Sequence, residues 1–131
     1  MRPLILDTSA LLTLIEDEDG AERVEQALRT EEAFLPWPVL LETYYVTCQE
    51  RGQTEADRRY ALVKRLRATI LWHMEESIVL TAARLKADHR ISLADAIIAS
   101  FAIRHACVLM HKDPEFDSLS AFLEMQPLPY K

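Results

Sequence analysis

The sequence feature that most constrains the fold is a three-residue apolar run, Leu4–Leu6, which ends at the carboxylate of Asp7. A short, continuous apolar run is typical of a strand that is buried on both faces, as the central strands of parallel sheets are. A helix-like segment follows at once, so Asp7 is expected at the carboxyl end of a central strand, where open α/β sheets bind ligands. The position indicates either a functional carboxylate or an aspartate that only caps the next helix.

Short apolar runs alternate with helical patterns along the rest of the chain. The runs predict strands at residues 4–6, 33–35, 69–72, 107–110 and, at a sheet edge, 124–128. The helical patterns lie at residues 9–15, 21–28, 38–51, 55–67, 75–88 and 93–105. Strands that alternate with helices pair in parallel through right-handed crossovers. We therefore predict an α/β fold, a three-layer α/β/α sandwich around a mostly parallel sheet of four to five strands, with residues 1–131 in one domain.

Composition narrows the class of protein. Half of the 131 residues are apolar, which is enough for a core without disulfides or structural metals. The net charge of −6 argues against a surface that binds phosphate backbones all over, although a divalent cation can supply positive charge at an acidic site. Cys48 and Cys107 lie among apolar neighbours and are predicted to be small core residues. With no signal peptide or membrane-spanning run, we expect a cytoplasmic protein.

Four carboxylates interrupt apolar surroundings instead of polar ones: Asp7, Glu42, Asp95 and Asp113. Besides the capping interpretation of Asp7, each of the others also has a purely structural interpretation. Glu42 could lie on a solvated helix edge, and Ser92 with Asp95 fits a capping box. Asp113, directly before Pro114, is a common turn residue.

The predicted topology brings these four carboxylates to one place. Asp7 and Asp113 each follow a strand, whereas Glu42 and Asp95 lie early in helices, and strand ends share an edge with helix starts in a parallel sheet. Clustered anions repel one another strongly at reduced dielectric, so such a cluster needs a bound cation or shifted pKa values. Oxygen ligands favour Mg²⁺ or Mn²⁺. A carboxylate-held metal can activate water and clamp a phosphodiester.

Several segments together resemble a known family. They are Leu4-Ile5-Leu6-Asp7-Thr8-Ser9, the helix that carries Glu42, Ser92-Leu93-Ala94-Asp95-Ala96-Ile97-Ile98-Ala99, and Asp113-Pro114-Glu115-Phe116. In this order the set resembles PIN-domain ribonucleases, in particular the VapC toxins of bacterial and archaeal toxin–antitoxin pairs. The resemblance implies endonucleolytic cleavage of RNA with Mg²⁺ or Mn²⁺, a homodimer, and an antitoxin partner that covers the catalytic groove.

The resemblance also implies roles for individual residues: an acidic quartet with an accessory polar group at Ser9. The quartet is Asp7, Glu42, Asp95 and Asp113. Many members have Thr or Ser two residues before the last acid, where this chain has His111, and the departure leaves Asp117 as an alternative fourth acid. Because acids cannot hold RNA by themselves, we consider basic groups for backbone contacts, each of which could instead be an ordinary solvated or capping group. These are Arg90, Arg104, His111 and Lys112.

Three other classes are compared with this one. Haloacid-dehalogenase-like phosphatases have a second Asp two residues after the first, where this chain has Ser9. Receiver domains have a phospho-accepting Asp after the third strand, where this chain has Trp72 and His73. A non-catalytic module whose acidic pocket holds a structural ion or a basic peptide remains an alternative.

Overall fold

The computed structural model describes residues 2–130, so Met1 and Lys131 of the predicted domain lie outside the described residues. The strands are β1 (Leu4–Leu6), β2 (Ala33–Pro36), β3 (Thr69–Leu71), β4 (Val108–His111) and β5 (Met125–Pro127). The helices are α1 (Thr8–Ile15), α2 (Ala21–Thr30), α3 (Trp37–Arg51), α4 (Gln53–Val63), α5 (Glu76–Asp88) and α6 (Leu93–Arg104). A 3₁₀ helix spans Pro114–Leu119.

The five strands form one sheet in the order β3-β2-β1-β4-β5, and every pairing is parallel. At the centre, Ile5 of β1 lies opposite Phe34 of β2 and Leu109 of β4. All three residues of β1 are buried, as the apolar run predicts. The α/β fold with a parallel sheet flanked by helices is thus confirmed, and β5 lies at the sheet edge because it pairs with β4 alone.

The core lies between the sheet and its helices, and α6 contributes most to it. This helix is apolar on almost every side because it is enclosed: Ile98 and Phe101 are fully buried, and the helix packs against α3 and α5. Burying a side chain of this size stabilises the fold by roughly 1.5–3 kcal/mol. Cys107 is buried as predicted, whereas Cys48 is only half-buried, and both are free thiols.

Two predicted boundaries are wrong, and one of them affects the candidate site. The sequence predicts α4 over residues 55–67 with Thr54 as its N-cap, whereas the helix starts at Gln53 and ends at Val63, because Gly52 is both the C-cap of α3 and the N-cap of α4. Gly52 has φ +90°, a backbone conformation that favours glycine. Strand β4 runs one residue further than predicted, so His111 is its last, fully buried residue. Other ends shift by a residue or two.

Within the described part of the chain, none of the helices combines the length and the apolar character needed to cross a membrane.

Candidate metal centre

The carboxyl ends of the central strands gather the predicted acids. Asp7 directly follows β1, and its N–H still donates to the Met110 carbonyl of β4 at 3.1 Å. Asp113 lies two residues after β4, Glu42 lies in the second turn of α3, and Asp95 lies in the first turn of α6. The predicted acids and Glu115 form what we call the acidic cluster: Asp7, Glu42, Asp95, Asp113 and Glu115.

Asp7 caps α1, and it also lies at the carboxyl end of β1 beside the other acids. As the cap of α1, its Oδ1 accepts the Ala10 N–H at 2.8 Å, and the Ser9 hydroxyl lies 2.8 and 2.7 Å from its two oxygens. The side chain is buried, and this burial raises the pKa of Asp7 to about 8, outweighing the hydrogen bonds that lower it. The charges of Asp95 and Asp113 raise it further. A nearby cation would favour the ionised form.

Asp95 likewise combines a cap with an available carboxylate. Ser92 caps α6 by accepting the backbone N–H of Asp95 at 3.1 Å. The Asp95 side chain contributes an oxygen to the acidic cluster. Burial raises the pKa of Asp95 to about 7, and the charge of Glu42 adds to the shift. The capping interpretation and the site interpretation therefore apply to different atoms of the same residue.

Asp113 brings a fifth acid that the sequence analysis missed. One carboxylate oxygen from each of Asp95, Asp113 and Glu115 lies within 4.8 Å of the others. Glu115 reaches this group because Asp113 Oδ1 accepts its backbone N–H at 2.9 Å, which turns the chain at the start of the 3₁₀ helix. The signal was present in Asp-Pro-Glu, since an aspartate before proline commonly bonds the backbone two residues on.

Glu42 and Asp7 lie beside this three-oxygen group and influence it through their charge. Glu42 is half-buried, and its Oε1 accepts a hydrogen bond from the Thr8 hydroxyl at 2.5 Å. This bond joins α3 to the residue that follows Asp7. The helix and strand ends that carry the acids are thereby tied together.

Ser9 connects the two central strand ends. Besides donating to Asp7, its Oγ accepts the backbone N–H of Lys112 at 2.8 Å. The predicted accessory group therefore orients Asp7 and joins the end of β1 to the end of β4. Both contacts use one hydroxyl, which acts as donor and acceptor at once.

Most of the groups that were predicted to contact RNA are buried, engaged by other residues or distant from the acidic cluster. The Lys112 side chain is 5% exposed, and its Nζ donates to the Asp19 carbonyl at 2.8 Å, so it is engaged by the turn after α1. His111 is fully buried. Arg104 lies in the last turn of α6, at the sheet edge opposite the acidic cluster, because crossover helices run antiparallel to the strands. Arg90 is exposed on the loop before α6.

Asp117, the alternative fourth acid, is held away from the group. Its Oδ1 accepts the Tyr130 hydroxyl at 3.0 Å, and the three-oxygen group contains Asp113 instead. The burial of His111 lowers its pKa, although the charges of Asp117 and Asp113 oppose the shift. Of the two candidates, Asp113 is the one placed with Asp95.

The donor set fits a hard divalent cation. Every ligand atom that the cluster offers is a carboxylate oxygen, the donor that Mg²⁺ and Mn²⁺ prefer. Two of its members have pKa values raised to about 7 and about 8, so the cluster holds more acidic groups than it can readily ionise alone. A cation among these oxygens would compensate for that excess charge.

The fold is similar to that of several solved toxin and toxin–antitoxin structures. A chain of VapBC2 from Rickettsia felis, solved with promoter DNA, has a TM-score of 0.78 at 15% identity over 96% of this chain and 98% of that one. VapBC-1 from nontypeable Haemophilus influenzae gives 0.73 at 23% identity, covering 95% and 96%. Mycobacterium tuberculosis VapC20, described as a sarcin-ricin loop cleaving toxin, gives 0.72 at 15%, covering 95% and 99%.

At these identities the solved structures show a shared fold. No curated protein matches the sequence significantly. The family model of the PIN domain matches residues 4–121, which include every member of the acidic cluster. PIN domains are a nuclease family, and the match argues against the phosphatase and receiver alternatives. The chain belongs to the PIN domain family.

Proposed function

We propose that this chain is a metal-dependent endoribonuclease that hydrolyses RNA phosphodiester bonds and is the toxin of a toxin–antitoxin pair. The observation that carries the proposal is the group of three carboxylate oxygens within 4.8 Å, next to the buried carboxyl of Asp7. PIN-domain membership supports a nuclease, and the fold shared with VapBC complexes supports the toxin role. The description of VapC20 as a sarcin-ricin loop cleaving toxin supports RNA as the substrate.

The acidic cluster provides the proposed catalytic and metal-binding residues. Asp7, Asp95 and Asp113 would hold Mg²⁺ or Mn²⁺, and Glu42 would act with them through water or at a second ion. Glu115 adds a ligand beside Asp113. When bound, the ion polarises the phosphodiester and lowers the pKa of nearby water.

The protein's own groups prepare this centre. The Ser9 hydroxyl contacts both oxygens of Asp7, and the Thr8 hydroxyl donates to one oxygen of Glu42. Because the pKa values of Asp7 and Asp95 are about 8 and about 7, both carboxyls hold a proton for part of the time near neutral pH. Binding of a cation then releases protons from these carboxyls, as it does wherever ligands must be deprotonated.

The partners follow from the same proposal: RNA, a cognate antitoxin and a second copy of the chain. A surface groove of apolar and aromatic residues lies along α3, α4 and the end of β3. Exposed apolar patches commonly mark protein–protein contacts, so this groove is a candidate surface for a protein partner. It is lined by Trp37, Leu40, Leu41, Tyr44, Tyr60 and Trp72, with Asp57. We infer a cytoplasmic location, which the two free thiols support.

The test is cleavage of RNA by the purified chain. A sarcin-ricin loop oligonucleotide and unrelated structured RNAs are incubated with Mg²⁺, with Mn²⁺ and with EDTA. We expect cleavage only with metal, and its loss in Asp7→Asn. The control Asp88→Asn removes an exposed acid at the end of α5 and keeps full activity.

Cleavage that persists with EDTA and in Asp7→Asn would refute the metal mechanism. A chain that binds Mn²⁺ yet cleaves no RNA would instead favour the non-catalytic acidic pocket.

A further inference from the structure

His111 is a polar residue in a place where only apolar side chains are expected. It ends β4 at 0% exposure, and its Nε2 has no hydrogen-bond partner among residues 2–130. A buried polar group without a partner costs free energy, so the residue needs another reason to be there. Its other ring nitrogen supplies one: Nδ1 accepts the backbone N–H of Asp113 at 3.1 Å.

Two aromatic rings fix the imidazole in this position. The Phe116 ring lies 5.0 Å from it, centroid to centroid, and the Tyr130 ring lies 6.1 Å from it. Tyr130 is itself held by the hydrogen bond from its hydroxyl to Asp117. The Nδ1 atom is therefore presented to the backbone of Asp113 by a ring with contacts from both the 3₁₀ helix and the C-terminal segment.

The hydrogen bond acts on two carboxylates at once. Asp113 Oδ1 accepts the Glu115 N–H, so the backbone position of Asp113 also sets that of Glu115. Both residues contribute oxygens to the group with Asp95. Fixing one N–H therefore constrains the backbone from which two of the three oxygens extend.

We propose that His111 is a positioning residue of the metal centre, holding Asp113 and Glu115 in place through its unprotonated Nδ1. This rests on the proposed function. An imidazole nitrogen that accepts an N–H has its lone pair free, so the ring is neutral with its proton on Nε2. The departure from Ser or Thr at this position thus has a structural role in this chain.

Three substitutions in the full chain distinguish the contribution of the Nδ1 acceptor from that of the volume of the ring. In His111→Asn the amide oxygen can take the place of Nδ1, whereas in His111→Gln the amide lies one methylene further, near Nε2. His111→Leu keeps much of the volume without any acceptor. Mn²⁺ affinity is measured by calorimetry, and exchange of the Asp113 amide is measured by NMR.

We expect Leu and Gln to weaken Mn²⁺ binding about tenfold and Asn to stay within about threefold of the wild type, as for groups that orient metal ligands. Asp113 amide exchange is expected to accelerate in the Leu and Gln variants and not in the Asn variant. Equal affinities for Asn and Gln, or wild-type affinity for Leu, would overturn the proposal.

A measurement on the wild type decides the matter even where a variant does not fold. ¹⁵N NMR is expected to show a neutral His111 ring protonated at Nε2, and a proton on Nδ1 would overturn the proposal. Mn²⁺ calorimetry, Asp113 amide exchange and ¹⁵N NMR of the ring are all measured without RNA. A wild type that binds Mn²⁺ and shows the expected variant pattern, yet cleaves no RNA, refutes the nuclease while supporting the role of His111.

Discussion

Two regions of the molecule bury charged side chains, and they differ in how the charge is balanced. Between α1, α3 and α4, the Arg59 side chain is 6% exposed and forms ion pairs with Glu16 at 3.1 Å and Glu55 at 3.0 Å. Hydrogen bonds from Arg58 and Arg59 lower the pKa of Glu55 to about 2. Here opposite charges meet, and the ionised form of Glu55 is stabilised.

In the acidic cluster at the carboxyl edge of the sheet, the five side chains are all carboxyls, and the nearby Lys112 is engaged by Asp19 and Glu18 instead. Burial and neighbouring acids raise the pKa of Asp7 to about 8 and that of Asp95 to about 7. A balanced cluster can be explained by stability alone, whereas an unbalanced one costs stability and is typical of functional sites. The two regions therefore differ in kind: stability explains the Arg59 pairs, whereas the acidic cluster is the candidate functional site.

The largest effect is expected from Asp7→Asn. Asparagine can still cap α1, so the fold is retained. RNA cleavage should fall by about 100-fold or more, beyond what groups that only orient ligands lose. The same change removes a buried acid, so the metal-free protein should melt at a higher temperature at pH 8. A variant that is both inactive and less stable would contradict the idea that the buried Asp7 carboxyl lacks a compensating positive charge.

The pH dependence of stability without metal has a defined sign. The pKa of Asp7 rises from its ordinary value of 3.8 to about 8 in the folded state, so the folded chain binds this proton more tightly. The contribution is complete below about pH 4 and is lost as pH rises through about 8, so the free energy of unfolding in EDTA should fall between these values, by roughly 5 kcal/mol. Urea titrations at several pH values measure it.

Mn²⁺ at pH 8 should restore the lost stability, because it binds the folded state. Asp7→Asn should flatten the pH profile and abolish much of the metal effect. A free energy of unfolding in EDTA that rises from pH 5 to pH 8 would show that the protein compensates the charge of these carboxylates without a metal ion.

Arg59→Met tests the other region. The substitution keeps the aliphatic volume but leaves Glu16 and Glu55 without their shared partner, and both are partly solvated. We expect the free energy of unfolding to fall by about 2 kcal/mol, measured by urea titration, with Mn²⁺ affinity unchanged. Arg29→Met, which breaks an exposed pair with Glu25, should have almost no effect. A loss of Mn²⁺ binding in folded Arg59→Met would link the two regions.

The two regions were not equally predictable from the sequence. The acidic edge could be anticipated because a strand end at Asp7 and a helix start at Asp95 are local patterns, and parallel topology brings such ends together. Glu115 was missed because its approach depends on one turn at Asp113. The ion pair of Arg59 with Glu16 joins residues 43 positions apart, and the bond from Lys112 to Asp19 spans 93, so neither leaves a local pattern, unlike the i,i+4 pair of Arg59 with Glu55.

Helix and strand boundaries show the same division. Strand β1 and helix α6 were predicted closely, because a buried element is apolar over its whole length. The start of α4 was wrong because Thr54 resembles a cap, and the joint at Gly52 depends on how α3 and α4 pack. Strand β4 extends one residue further than predicted and buries His111, a residue considered for contacts with the RNA backbone.

The smallest expected effect comes from Ser9→Ala, which acts on the unbalanced region without removing a charge. It deletes the hydroxyl that donates to Asp7 and accepts the Lys112 N–H, and it leaves the half-buried N–H of Lys112 without its acceptor. We expect about 1 kcal/mol less stability and about tenfold weaker Mn²⁺ binding, and Ser9→Thr should retain both. Ser77→Ala, at a half-buried position of α5, is the matched control. If Ser9→Ala and Ser9→Thr bind Mn²⁺ equally well, the hydroxyl does not orient Asp7, and burial alone must account for the state of its carboxyl.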